Sequence, residues 1–215
     1  MLRSADHLTL AHGACVVLEL ADADAALAGL PAAEQRRALE LAPARRDEYI
    51  AGRTALHLAL ATAAATTNIA SAAAILSSER GAPILPPGWV GSVSHKGAFA
   101  AALIAPERHR HIGLDLERAQ PSRQDIARRI LTPREQATLP DRGRAVTLRF
   151  AIKEAIYKAL DPYVRRYVGF TEVELDFAGD VVTVTTELPF AIEATWREHA
   201  GHWLTTARAH PLGDR

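Results

Sequence analysis

The chain has 215 residues, 48% of them hydrophobic, enough to bury a substantial core in one large domain or two fused smaller ones. Its 25 basic and 25 acidic side chains give a formal net charge of zero, so no overall field attracts nucleic acid or an anionic membrane surface, and any anion site must be local. The single cysteine, Cys15, excludes an internal disulfide framework and a cysteine-based zinc site; with no long apolar run near the N-terminus, it predicts a soluble, cytoplasmic protein.

The first half of the chain alternates predicted strands and helices. A short β-branched run predicts a strand over 15–20, and good helix formers predict helices over 32–42 and about 44–62. After a turn-rich segment, an alternating run over 90–95, with Ser92 and Ser94 on one face, and an apolar run over 98–105 predict a pair of strands around a Lys-Gly turn.

The second half begins with a predicted strand over 112–117, and a long helix is predicted over 144–160, with Pro162 marking its end. Four β-rich runs then follow, over 172–177, 181–187, 190–196 and 202–209. This order favours the α+β class over a doubly wound parallel sheet, with a joint between two parts near 106–110. No repeat is detectable as sequence identity.

Asp115 and Glu117 stand two residues apart on the predicted strand, so their carboxylates project from the same face. Two like charges this close favour a cation, and Mg²⁺ takes a few protein carboxylates while phosphates and water complete its shell. Glu154 is a candidate third carboxylate. For an isolated D-x-E pattern, two solvated surface acids are the alternative interpretation.

Lys153, Glu154 and Lys158 are predicted to lie close together on the polar side of the long helix. That arrangement suits a metal-bound phosphate held between a carboxylate and an ammonium, which indicates phosphoryl transfer. A plain surface ion pair between Glu154 and Lys158, at i, i+4 spacing, is the alternative.

Ser92, Ser94 and His95 end a predicted strand at a turn, where hydroxyls, an imidazole and backbone amides can bind a phosphate. Arg53 is a candidate phosphate ligand on a helix. The alternative for the two serines and the histidine is a strand end whose polar groups are hydrogen-bonded within the protein. The alternative for Arg53 is a surface charge. A serine hydrolase is disfavoured because the segment lacks a G-x-S-x-G elbow.

Three segments occur in the order and spacing of one known family: GSVSH at 91–95, GLDLE at 113–117 and FAIKEAIYK at 150–158. The chain resembles the large, monomeric 4′-phosphopantetheinyl transferases. AGRTALHLAL at 51–60 is similar to the enterobactin-synthetase-associated branch of that family. Two departures are that Ala82 stands where many relatives have lysine, and Phe150 where tryptophan is common.

The resemblance implies a pseudo-twofold arrangement of two similar α+β halves, residues 1–108 and 109–215, with coenzyme A and the metal in the cleft between them. The first half would supply contacts to the nucleotide of coenzyme A. The second half would supply the metal and catalytic residues.

Residue by residue, the resemblance implies that Asp115, Glu117 and Glu154 hold Mg²⁺ against the pyrophosphate of coenzyme A. Lys158 would contact the phosphate and stabilise the charge that develops there. The catalytic set would be Asp115, Glu154 and Lys158, with Glu154 or a metal-bound water that it orients taking the proton of the attacking serine.

The other coenzyme A contacts implied are Arg53, Ser94 and His95, chiefly to the 3′-phosphate. The implied partner is an apo acyl or peptidyl carrier protein of siderophore, nonribosomal peptide or polyketide biosynthesis, modified by a cytoplasmic monomer with no nucleic-acid or membrane partner. Because carrier domains are usually acidic, four basic side chains are candidates for docking, with a solvated helix face as the alternative for each: Arg123, Arg128, Arg129 and Arg134.

Two other functions fit part of the same pattern. One is a module that binds coenzyme A or a carrier protein without turnover. The other is a magnesium-dependent phosphohydrolase acting on small phosphate esters, for which the acidic residues alone would serve equally well.

Overall fold

The computed structural model describes residues 1–64, 73–109, 111–139 and 143–213. The chain divides into two compact units, Met1–His109 and Arg110–Arg215, called unit 1 and unit 2 below. No helix in these ranges combines the length and the apolar character needed to cross a bilayer.

Unit 1 is a four-stranded antiparallel sheet packed against a long helix. Its strands, in the spatial order β1-β2-β4-β3, are β1 (Leu2–Leu10), β2 (Gly13–Leu20), β4 (Phe99–Pro106) and β3 (Trp89–Lys96). Its helices are α1 (Ala23–Leu27), α2 (Ala32–Leu39) and α3 (Pro43–Ala64).

Small side chains let α3 lie close to this sheet. The alanines Ala51, Ala55 and Ala59 of α3 share one buried cluster with Ala100 and Ala102 of β4. Their spacing of four residues on the helix and two on the strand is the spacing that keeps side chains on one face. The alanines on both elements therefore build this part of the core.

Unit 2 packs its own long helix on a three-stranded antiparallel sheet. The sheet runs β5 (His111–Arg118), β9 (His202–Pro211) and β8 (Phe190–His199) in spatial order, and β6 (Val173–Ala178) and β7 (Val181–Thr186) form a separate hairpin. The helices are α4 (Ala127–Ile130), α5 (Pro133–Thr138) and α6 (Arg144–Val164).

The α+β class predicted from the order of elements is confirmed, since each unit combines antiparallel strands with helices. One strand was missed and one helix end was wrong. The edge strand β1 was not predicted, because its apolar and polar residues do not alternate strictly and it carries Arg3, Asp6 and His7. Helix α6 also continues past Pro162, since a proline in the last turn removes only one helical hydrogen bond.

Candidate functional site

One face of β5 carries the two acidic residues of the GLDLE segment and packs against α6. A Cβ atom at Gly113 would lie 1.9 Å from the carbonyl oxygen of Ala155, so this strand position lies directly on the helix backbone. Asp115 and Glu117 follow at the two-residue spacing that keeps them on the same face. The sequence prediction that these two carboxylates share a face is consistent with this packing.

Strand β9 supplies the residue opposite Asp115 and joins it to the helix. Thr205 pairs with Asp115 across the ladder, is fully buried, and donates from Oγ1 to the carbonyl oxygen of Ala151 at 2.9 Å. This threonine was not singled out from the sequence, because nothing local distinguishes it from other strand threonines. It ties the sheet to α6 one turn before Glu154.

Lys158 and Asp115 form an ion pair between α6 and β5. The ammonium Nζ donates at 2.8 Å to Asp115 Oδ1 and at 2.8 Å to the carbonyl oxygen of Leu114. Asp115 is 6% exposed, whereas the Lys158 side chain keeps 27% of its surface accessible. The lysine is thus held by the strand while part of it still faces solvent.

Glu154 stands among charges of both signs. Burial is the largest cause that raises the pKa of Glu154, and the negative charges of Asp115 and Glu117 raise it further. The positive charges of Lys158 and Arg129 lower it. Because its folded-state pKa lies above the ordinary value, ionising Glu154 in the folded protein costs free energy. A cation bound beside these three carboxylates would return that free energy.

The three carboxylates do not form a ready-made metal cluster. Within the described ranges no group of three or more His, Cys, Asp or Glu side chains is arranged to hold a metal ion. Asp115 instead turns one oxygen to Lys158. The donor set still fits a hard divalent ion, because Mg²⁺ is commonly held by one or two carboxylates with phosphates completing its shell. The metal ligands Asp115, Glu117 and Glu154 stay a prediction.

The expectation that Lys153 lies on the polar side of the helix was wrong. Lys153 is 3% exposed, and its Nζ donates to Glu135 Oε2 at 2.6 Å and to the carbonyl oxygen of Ile130 at 2.9 Å. Burial lowers the pKa of Lys153, and the bond to Glu135 opposes that change. Helical spacing shows which residues share a face, but it does not show whether a lysine has a buried partner. The pattern therefore predicted an exposed position for Lys153, which is buried.

That buried partner, Glu135, was missed by the sequence reading. It is the third residue of α5, and it closes a capping box in which Thr132 N donates to its Oε2 at 2.7 Å. Its other oxygen accepts from the backbone N of Leu175, within β6. The T-P-R-E run at 132–135 is the signal that could have revealed this helix start. Removing one member of such a buried pair costs about 3–5 kcal/mol.

Unit 1 repeats this construction with different side chains. Glu34 is the third residue of α2, is fully buried, and accepts from the backbone N of Ile75. Its carboxylate also pairs with His57 of α3, Oε1 to Nε2, at 2.9 Å. Each unit thus ties a short helix to its long helix through a buried glutamate, a similarity that sequence identity did not reveal.

The predicted nucleotide contacts all lie in unit 1. Arg53 is 3% exposed, donates from Nη2 to Ser77 Oγ at 2.6 Å, and stacks on the Tyr49 ring at 4.5 Å. Ser94 is buried on β3, and His95 Nε2 lies 3.5 Å from Glu48. The surface-charge interpretation of Arg53 is therefore wrong, while its contact with a phosphate stays a prediction.

A glycine sets the spacing between the two elements that carry these residues. A Cβ at Gly52 would lie 3.1 Å from Val93 Cγ2, so α3 and β3 approach closely there. Gly52 precedes Arg53, and Val93 precedes Ser94. This contact fixes how closely the helix that carries Arg53 packs on the strand that carries Ser94.

Comparison with known sequences gives consistent matches to one family. The family model described as the 4′-phosphopantetheinyl transferase N-terminal domain matches residues 33–105, and that of the 4′-phosphopantetheinyl transferase superfamily matches residues 111–211. Together the two matches fall on most of unit 1 and nearly all of unit 2.

Three curated proteins illustrate the similarity. The 4′-phosphopantetheinyl transferase Npt of Nocardia iowensis is 36% identical over 137 residues, which cover 62% of this chain and 60% of that protein. PptT of Mycobacterium tuberculosis is 29% identical over 169 residues, covering 76% and 72%. Enterobactin synthase component D of Salmonella typhimurium is 32% identical over 126 residues, covering 56% and 50%.

Proposed function

Because the chain belongs to the 4′-phosphopantetheinyl transferase superfamily, we propose that it moves the phosphopantetheine arm of coenzyme A onto a serine of an apo acyl or peptidyl carrier protein. The observation that carries this proposal is the grouping in unit 2 of Glu154 with Asp115, Glu117 and Lys158, the residues that the GLDLE and FAIKEAIYK segments supply. Acidic and basic groups in one place suit the transfer of a charged phosphate group.

The reaction breaks the phosphoanhydride bond of coenzyme A and forms a phosphoester bond to the serine. The serine hydroxyl oxygen attacks the β-phosphorus of coenzyme A, and the bond from that phosphorus to the bridging oxygen breaks. The products are 3′,5′-ADP and the carrier with its phosphodiester-linked arm. No covalent bond to the enzyme is required.

We assign Glu154 as the base that accepts the proton of the attacking serine hydroxyl. Its raised pKa makes it a stronger base than an ordinary carboxylate, which favours proton transfer from a hydroxyl. A water molecule that Glu154 orients would serve the same purpose. Asp115 holds Lys158 in place, and Lys158 stabilises the negative charge on the phosphate oxygens.

Asp115, Glu117 and Glu154 are the residues that would hold a divalent metal ion, which we propose to be Mg²⁺. When bound, such an ion supplies positive charge to the diphosphate and polarises its oxygens. The support for this assignment is the repulsion among the three carboxylates and their all-oxygen chemistry.

The nucleotide contacts are assigned to unit 1. Arg53, Ser94 and His95 offer a guanidinium, a hydroxyl and an imidazole, which together can recognise the 3′-phosphate of coenzyme A. The hydrogen bond from Arg53 to Ser77 also joins α3 to the segment that precedes β3.

The proposal predicts that the protein, incubated with magnesium, coenzyme A and a panel of apo-carriers, increases the intact mass of at least one carrier by one phosphopantetheine arm. Removing divalent ions with a chelator is expected to lower the rate by at least about a hundred-fold, and added Mg²⁺ should restore it. Intact mass spectrometry of the carrier measures both.

Two outcomes separate this function from its rivals. Release of inorganic phosphate from small esters without any carrier would indicate a phosphohydrolase. Binding of coenzyme A with unchanged carrier masses across a broad panel would indicate a binding module without turnover.

The assignment of Arg53, Ser94 and His95 predicts a loss of discrimination between coenzyme A and dephospho-coenzyme A. Wild-type protein should use coenzyme A with the higher kcat/KM, and Ser94→Ala and His95→Gln should each reduce that ratio by about 5-fold or more. A ratio is measured because general damage to the fold lowers both rates equally. If both variants keep the wild-type ratio, the 3′-phosphate is recognised elsewhere.

A further inference from the structure

Arg129 is one of the four basic side chains that are candidates for docking carriers, and its place in the fold brings it near the candidate site. It lies in the short helix α4, whose Ala127 and Ile130 are buried while Arg129 is exposed. The charge of Arg129 acts on the Glu154 carboxyl, so the two side chains lie within electrostatic reach.

The packing of α4 explains this proximity. Ala127 and Ile130 form a cluster with Val146 and the partly buried Phe150 of α6. Glu154 follows Phe150 by four residues and therefore continues the same stripe of the helix. The helix that carries Arg129 is thus seated on the stripe of α6 that ends in Glu154.

The buried ammonium of Lys153 fixes the end of α4 on this stripe. Its Nζ donates to the carbonyl oxygen of Ile130, the residue after Arg129, at 2.9 Å. A second bond, to Glu135 Oε2 at 2.6 Å, anchors the same ammonium from α5. Lys153 precedes Glu154 in the chain. The residue that holds α4 is therefore next to the candidate base on α6.

We propose that Arg129 is a further cation of the candidate site, that it contacts a phosphate oxygen of the substrate, and that Lys153 is the residue that positions it. The proposal rests on the proposed function, since it assumes a phosphate group beside Glu154. Arg129 is exposed and therefore accessible to a ligand, whereas Lys153 is buried and acts only through the bonds that hold α4.

The test is a double-mutant cycle in the full chain, with kcat and both KM values measured for arm transfer. Arg129→Gln is expected to lower kcat by about 10-fold with little change in the carrier KM, and Lys153→Met by a similar factor. Because both changes remove the same contact, the double variant should be no slower than the slower single variant by more than about 2-fold.

The matched control is His57→Gln, which disturbs the buried glutamate pair of unit 1, in a different core cluster. In the double variant of His57→Gln and Arg129→Gln, the fold-reductions in kcat of the two single variants should multiply. A purely structural effect of Lys153→Met would also multiply with Arg129→Gln, and that result would overturn the proposal.

Other outcomes are equally decisive. If circular dichroism shows that Lys153→Met does not fold, Arg129→Gln decides alone, since an exposed residue can be replaced without unfolding; an unchanged kcat, or an effect confined to the carrier KM, overturns the proposal. A wild-type protein that transfers no arm to any carrier refutes the proposed function instead, before any variant is compared.

Discussion

Replacing Asp115 with asparagine is expected to lower the rate of arm transfer by at least about a hundred-fold while the protein stays folded. The substitution keeps the size of the side chain but removes the charge that holds Lys158 at 2.8 Å and that contributes a metal ligand in the proposed function. Initial rates followed by intact mass, together with thermal melts, measure both effects.

The fold is expected to survive because Asp115 contributes no apolar surface to the core of unit 2. Asp180→Asn is the matched control, since it is the same chemical change at an exposed turn of the same unit. Transfer at the wild-type rate by Asp115→Asn would refute the proposed role of this carboxylate. A collapse of the melting temperature would show that the Lys158 pair is chiefly structural.

Replacing Gly113 with alanine is expected to destabilise unit 2 by about 3 kcal/mol or more and to abolish transfer. The new methyl group would lie 1.9 Å from the carbonyl oxygen of Ala155 and 2.8 Å from Ala159 N. Both are backbone atoms, so no side-chain rotation relieves the contact, and α6 must move away from β5. That movement separates Asp115 from Lys158 and Glu154.

A fall in melting temperature of more than about 10 °C is the expected measurement for Gly113→Ala. Tryptophan fluorescence can follow it, because Trp196 and Trp203 both lie in unit 2. Gly169→Ala is the control, since its Cβ would meet only Glu172 Oε1, at an ordinary 3.6 Å. Equal melting temperatures for the two variants would show that α6 is not tightly seated on β5.

Some properties of the GLDLE segment could be predicted from the sequence, and others could be seen only in the structure. Alternation along a strand predicted that Asp115 and Glu117 share a face, and this needs no tertiary information. The role of Gly113 could be seen only in the tertiary structure, because the absence of a side chain matters only where another backbone comes close. The same holds for Thr205, whose value lies in being opposite Asp115.

The FAIKEAIYK segment shows the limit of periodic patterns. Spacing grouped Lys153, Glu154 and Lys158, yet the structure places Lys153 inside and leaves Lys158 part exposed. Burial of a lysine depends on whether a partner, here Glu135, is brought to it from 18 residues away. Such a partner is set by chain packing and cannot be read from one helix.

By itself, the sequence determined the α+β class, the positions of most strands and of both long helices, and the motifs that match the family, because local periodicity and residue type carry that information. Only the tertiary structure decided which charged residues are buried. Glu34, Arg53, Glu135 and Lys153 all proved to be interior. The physical reason is that a charge can be buried only where distant parts of the chain supply its hydrogen bonds and counter-charge, and those partners exist only after folding.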